Sequence, residues 1–168
     1  MSQARPDRSA AATASDPAYA EAWQALRGSH QVLVDQIGRE LSEAGLPELS
    51  WHDVLARLDA SETPLRPRDL LCHVGVTKSG LTRLLDRIES AGLLERRSCP
   101  SDRRGTFLAI TDSGRETLAE MRPIRNRVFE QHFEAVLSRD DAARIADSLG
   151  RVGASVRGEL EADGGCDL

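Results

Sequence analysis

VTKSGLTRLLDRIESAGLLERR, residues 76–97, is the stretch on which the fold turns. Leu81, Leu84, Leu85 and Ile88 recur at the i, i+3, i+4, i+7 spacing, which gives a helix one continuous apolar stripe to bury. Thr77 stands just ahead of the stripe and Gly92 just behind it. A threonine hydroxyl there can accept a first-turn N–H, and a glycine there can end the helix without Cβ strain. The spacing predicts a helix over 77–91. Its opposite side shows Lys78, Ser79, Thr82, Arg83, Asp86 and Arg87, all polar.

The flanks give that helix a context. Upstream, residues 69–73 predict a short helix and Gly75 the turn out of it. A short helix, a turn and a polar-faced second helix make a helix-turn-helix. Downstream, 93–98 and 106–110 are short strand candidates joined by Cys99, Pro100, Ser101, Asp102, Arg103, Arg104 and Gly105, a loop full of turn formers. They predict a β-ribbon, or wing.

Further out the period stays helical. Over 17–44, Leu26, His30, Leu33, Ile37 and Leu41 fall on one face, and Gly45 with Pro47 stops the helix. Ser50 is placed to cap a second helix that turns Trp51, Val54, Leu55 and Leu58 inward, and 65–67 leaves room for one brief edge strand. Thr111 caps a long helix in which Pro123 is expected to force a kink or break, because its ring removes a backbone donor. Beyond it, Val128, Phe129, Phe133, Val136 and Leu137 continue the apolar face. Ser138 followed by Asp141 marks the start of a last helix, where Ile145, Leu149, Val152 and Val156 repeat at four, three, four, close to a coiled-coil seam.

The expected architecture is therefore mainly α with a small β-wing, a winged helix-turn-helix flanked by long dimerisation helices. Residues 1–16, poor in anything to bury, read as a disordered tail. Residues 17–48 read as an N-terminal dimerisation helix, 49–111 as the winged module, 112–161 as C-terminal dimerisation helices and 162–168 as a frayed end. Such modules commonly read symmetric DNA sites as dimers, which makes a homodimer and a palindromic operator the expected partners.

Composition agrees with this outline. The 168 residues are 40% hydrophobic but only 4% aromatic, which leaves aliphatic side chains to build a helix-on-helix core. Cys72, Cys99 and Cys166 are odd in number and irregularly spaced, and no apolar N-terminal run resembles a signal peptide or a membrane span. The expectation is a reduced, cytoplasmic protein without membrane partners. A formal charge of −5 argues against nucleic acid until its distribution is considered. Residues 64–106 hold nine basic against five acidic side chains, so the rest of the chain, with 13 basic and 22 acidic, carries −9. A basic block in an acidic scaffold is the electrostatic footprint of a nucleic-acid site, although a merely solvated charged surface has the same composition.

The candidate contacts follow. Thr77, Lys78, Ser79, Thr82 and Arg83 lie on the exposed side near the helix N-terminus, where base edges and phosphates come within reach, and Arg87 lies one turn further along. Arg83 is the first choice for a base contact, its fork suiting a guanine edge; the competing reading has it paired with Asp86 or Glu89 on its own helix. At the wing, Arg103 suits a phosphate. Cys99 sits among Arg96, Arg97, Arg103 and Arg104, which favour a thiolate and leave a redox-responsive regulator open as an alternative. Scattered His30, His52, His73 and His132 give no metal-ligand spacing. Neither a glycine-rich phosphate loop nor a nucleophile elbow is present, so no enzyme, catalytic residue, metal or cofactor is expected.

Residues 49–118 together resemble the MarR family of winged-helix regulators. The resemblance runs through Leu49-Ser50-Trp51, Asp69-Leu70-Leu71, the whole of 76–89, Gly92-Leu93-Leu94-Glu95-Arg96, Asp102-Arg103-Arg104-Gly105 and 108–114. It implies a homodimer joined by the first and last two helices, with the two winged modules on adjacent major grooves. Arg104 resembles the family's minor-groove arginine and Asp102 its orienting carboxylate, in keeping with the concentrated potential of a narrow groove. Thr82 and Arg96 resemble positions that hold aromatic carboxylates in some members, with His30, Trp51 and His52 able to help line such a pocket. The resemblance thus implies a repressor released by a small-molecule effector. A winged-helix module that acts through protein contacts alone is the alternative of a different class.

Overall fold

In the computed structural model, residues 16–74, 76–98 and 106–162 are described, apart from the side chains of 72, 73, 98 and 157–162. The expectations for the 1–15 tail, Gly75, the wing tip with Cys99, Asp102, Arg103 and Arg104, the 163–168 end, and the Cys72 and His73 side chains therefore lie outside the described residues. The chain divides into a unit ending at Val32 and a unit from Leu33 onward.

In the first unit lies the start of helix α1, Pro17–Glu43. Asp16, which the sequence groups with the tail, caps it by accepting the Ala18 N–H at 2.9 Å. Tyr19, Trp23, Leu26 and Val32 are exposed along this part of the helix.

The second unit holds the rest of α1 and the elements α2 (Leu49–Asp59), α3 (Pro67–Val74), α4 (Lys78–Ser90), β1 (Leu94–Ser98), β2 (Thr106–Ile110), α5 (Asp112–Phe129) and α6 (Arg139–Ala162). Two apolar clusters hold it. The larger joins Val54, Leu55 and Leu58 of α2, Leu70 and Val74 of α3, the four predicted stripe residues of α4, Leu94, Leu108 and Ile110 of the strands, and Leu118 of α5. The smaller joins Ile37 and Leu41 of α1 to Met121 and Val128 of α5, with Arg127 of α5 bonded to Glu40 at 2.6 Å beside it. That guanidinium, with the Gln36 amide, holds the Glu40 carboxyl below its ordinary range.

Helix ends follow the predicted chemistry in most places. Thr77 and Thr111 each accept the N–H three residues on, from Gly80 at 3.1 Å and Gly114 at 3.0 Å. Ser138 does the same for Asp141. Gly45 and Gly92 take φ values of 71° and 76°, and the next residues fold back, Leu46 N–H onto Leu41 C=O and Leu93 N–H onto Ile88 C=O. Both are Schellman endings, which need a left-handed residue where glycine costs least.

Three expectations about the helices are corrected. Ser50 does not cap α2; the helix begins at Leu49 with Glu48 in the cap position and no side-chain cap bond, and the Ser50 hydroxyl is buried without a hydrogen-bond partner among the described residues. Helix α3 begins two residues earlier than the 69–73 estimate, with Pro67 in the first turn, where its missing N–H costs nothing, and Asp69 reaches back to accept the Arg66 N–H at 2.7 Å. Pro123 does not break α5, which continues to Phe129. The interruption comes later, in a π-helical turn over Glu130–Glu134, where Phe129 and Phe133 pack with ring centroids 4.9 Å apart.

Strands β1 and β2 pair antiparallel with Leu94 opposite Ile110 and Ser98 opposite Thr106. The expected edge strand at 65–67 is reduced to one bridge, Leu65 to Leu108, closed by the Leu108 N–H on the Leu65 carbonyl at 2.8 Å. Arg66 stacks over the Phe107 ring at 5.2 Å. Among the described residues no helix is long and apolar enough to cross a membrane.

Candidate nucleic-acid interface

Helix α4 is held by the side it buries. Leu81, Leu84, Leu85 and Ile88 are each 5% exposed or less, which at roughly 1.5–3 kcal/mol per fully buried aliphatic side chain fixes the helix firmly to the core. Thr77, Lys78, Ser79, Thr82 and Arg83 are left on the outside, grouped within its first two turns as the sequence predicts. The Thr77 and Ser79 hydroxyls lie 3.3 Å apart, and the Thr82 hydroxyl donates to the Lys78 carbonyl at 3.2 Å.

The side chains of Lys78 and Arg83 make no hydrogen bond or ion pair among the described residues. The reading in which Arg83 is spent on Asp86 or Glu89 is not the one observed, because Arg96 occupies both carboxylates, Asp86 at 2.7 Å and Glu89 through its other terminal nitrogen. Arg87 behaves differently from Arg83. Its guanidinium bonds Glu48 at 2.9 Å and lies 5.6 Å over the Trp51 ring, so it ties α4 to the start of α2 while remaining partly accessible.

The wing follows directly, because Leu93 enters β1 from the Gly92 ending and Thr111 returns from β2. The Thr111 hydroxyl donates to the Gly92 carbonyl at 2.7 Å, and its N–H to the Leu93 carbonyl at 3.2 Å. One residue thereby caps α5 and closes the base of the hairpin. Here the backbones come very close: a Cβ on Gly114 would sit 2.1 Å from the Leu93 carbonyl oxygen.

The five residues considered for an effector pocket are placed as follows. His30 is exposed on α1 in the first unit. Trp51 packs against the larger core cluster, its indole N–H buried and unpartnered among the described residues. His52 is turned inward, with Nδ1 3.1 Å from an Asp53 oxygen. Thr82 is exposed, and Arg96 is bound to α4. The second unit also opens a groove of about 890 Å³ between the outer face of the hairpin and the loop after α2, lined by Leu58, Pro64, Arg97, Phe107 and Arg115 among others and by none of those five. Arg97 is paired there with Glu95, and Arg115 with Asp59 at 3.3 Å.

Sequence reasoning missed the Arg96 contacts, the Glu48 partner of Arg87 and the close approach at Gly114. The first had a signal: with Leu94 facing inward, a period of two places Arg96 on the same face, toward a helix that carries two carboxylates. Among the described residues no group of three His, Cys, Asp or Glu is arranged to hold a metal ion.

Comparison with known proteins agrees with this geometry. The family model described as MarR family matches residues 44–105. The chain is 27% identical over 104 residues to the transcriptional repressor MprA of Escherichia coli, a match that covers 62% of this chain and 59% of MprA. The chain thus spans about three fifths of the length of that curated relative. The crystal structure of AbsC, a MarR family transcriptional regulator from Streptomyces coelicolor, superimposes with a TM-score of 0.75 at 28% identity, covering 85% of this chain and 97% of AbsC. The transcriptional repressor CouR, solved bound to a 23-mer DNA duplex, superimposes with a TM-score of 0.65 at 25% identity over 77% of this chain and 89% of CouR.

Proposed function

The chain belongs to the MarR family, and on that premise we propose that it is a dimeric, sequence-specific DNA-binding regulator of transcription, acting as a repressor that a small-molecule effector releases. The observation that carries the DNA-binding part is the outer face of α4. Lys78 and Arg83 stand there unengaged among the described residues, beside hydroxyls, on a helix whose other face is sealed into the core. A free guanidinium at the exposed start of such a helix is equipped to fork onto a guanine edge in the major groove. Lys78, with the adjacent helix N-terminus, suits a phosphate. Asp102, Arg103 and Arg104 are read as completing the contact at the minor groove, and the CouR relative solved bound to a DNA duplex supports duplex binding as such. The activity is binding rather than catalysis.

The test is fluorescence anisotropy of the purified protein with a palindromic duplex from its own promoter, over a series of salt concentrations. Tight, salt-dependent binding that a scrambled duplex fails to match is expected. Equal and weak affinity for both duplexes at low salt would overturn the reading and favour a protein-interaction module.

Dimerisation is supported by α6. Ile145, Leu149, Val152 and Val156, the predicted seam, are 39%, 38%, 61% and 52% exposed in the single chain, an apolar stripe of a kind that marks an association surface. Placing Asp at Leu149 and Val152 together is expected to give a monomer by light scattering and to remove operator binding with it, because two half-sites are then no longer held in register. A variant that still elutes as a dimer would remove α6 from the interface. Effector release rests on family membership; since Arg96 is already engaged by two carboxylates, an acidic effector placed there would have to displace them.

A further inference from the structure

Arg83 and Asp86 are three residues apart on α4, a spacing at which arginine and aspartate on a helix surface ordinarily meet. Here they do not. Arg96 reaches from β1 to Asp86 at 2.7 Å and to Glu89 with its other terminal nitrogen, and its backbone N–H donates to Glu89 at 3.3 Å. Its side chain is only 30% exposed and that of Glu89 35%, so the attraction is screened less than in a pair standing free in water. Arg96 shares the inner face of the hairpin with Leu94, which is 2% exposed, and the strand register therefore delivers its guanidinium to α4.

We propose that Arg96 is a positioning residue for DNA binding: by occupying Asp86 and Glu89 it keeps Arg83 from being captured on its own helix. The proposal rests on the DNA-binding reading for its functional meaning, but the capture it prevents is a property of the free protein. Removing Arg96 uncovers two carboxylates on the recognition helix, taking the formal charge of the three groups from −1 to −2 close to where phosphates would lie. The nearest guanidinium at helical spacing is then Arg83. Two losses follow together, a base-contacting group diverted to Asp86 and a field that repels the duplex.

The test uses the full chain and three variants: Arg96→Met, which keeps the aliphatic stem without the charge, Arg96→Lys, which can serve only one carboxylate well, and the triple variant Arg96→Met with Asp86→Asn and Glu89→Gln. Operator affinity is expected to fall on the order of tenfold in Arg96→Met, less in Arg96→Lys, and to return to wild type in the triple variant. Thermal melting identifies any variant that has lost its fold. In the absence of DNA, the Arg83 side-chain NMR resonance is expected to shift in Arg96→Met and to return in the triple variant. Unchanged affinity in Arg96→Met, or a loss that the triple variant fails to repair, would overturn the proposal. An Arg83 resonance indifferent to all three variants would overturn it even if the wild-type protein bound no duplex, a result that by itself would remove only the DNA-binding reading.

Discussion

Gly114→Ala is expected to melt the winged module at a temperature roughly 10 °C or more below wild type, a loss of about 3–5 kcal/mol. An added Cβ there would lie 2.1 Å from the Leu93 carbonyl oxygen and 2.8 Å from Ile110 Cγ1, both well inside van der Waals contact. Neither neighbour is free to yield. The Leu93 carbonyl accepts the Thr111 N–H at 3.2 Å, the Leu93 N–H is tied to Ile88 at 3.1 Å, and Ile110 belongs to the core cluster. Relief of the clash has to move the start of α5 away from the end of α4, which strains the Thr111 cap and opens the core beneath it. Against a total stability of about 5–15 kcal/mol for a domain of ordinary size, that is a large share. Gly38→Ala is the control. It lies inside α1 with nothing within 4 Å of the added Cβ, and should leave stability unchanged or raise it by up to about 1 kcal/mol. Circular dichroism melts of the two variants decide the matter; a Gly114→Ala protein that melts with wild type shows that the close approach is not a constraint.

The second large effect is on binding. Arg83→Ala is expected to weaken operator affinity by about 10- to 100-fold, the equivalent of roughly 1–3 kcal/mol for a bidentate base contact, while the melting temperature stays put because Arg83 is exposed and makes no bond to the described protein. Specificity should relax as well, since a lost base contact narrows the gap between the operator and a scrambled duplex. A phosphate contact behaves otherwise: its loss weakens all sequences alike and lowers the salt slope by about one. Lys78→Ala is expected to show that second pattern. If Arg83→Ala weakened both duplexes equally, Arg83 would be assigned to the backbone; if it weakened neither, α4 would not be the reading element.

The sequence made most of this architecture legible because local signals and burial agree. In α4, Thr77, the four-residue stripe and Gly92 each point to the same element, and the structure places the cap, the sealed face and the left-handed exit there. The register of Arg96 and the approach at Gly114 were not read, because both depend on which element lies across from a residue. Ser50 shows the limit from the other side: a good capping residue two positions past the cap of the helix that forms. Pro123 shows another, since a missing donor is tolerated where the helix on either side is anchored, here by Met121 and Val128, both fully buried.

The single bridge at Leu65 has a consequence for solubility. A two-stranded ribbon offers an open edge that can template the addition of a strand from another molecule, the route to aggregation that β proteins have to manage. On the β2 side, the Leu108 donor is already taken by Leu65. Pro67, two residues on, brings no N–H of its own, and the Arg66 guanidinium over Phe107 puts a charge on the rim. An incoming strand therefore meets an occupied donor, a residue that cannot donate and a cation. This edge of the hairpin is thereby left with little to offer a strand from another molecule.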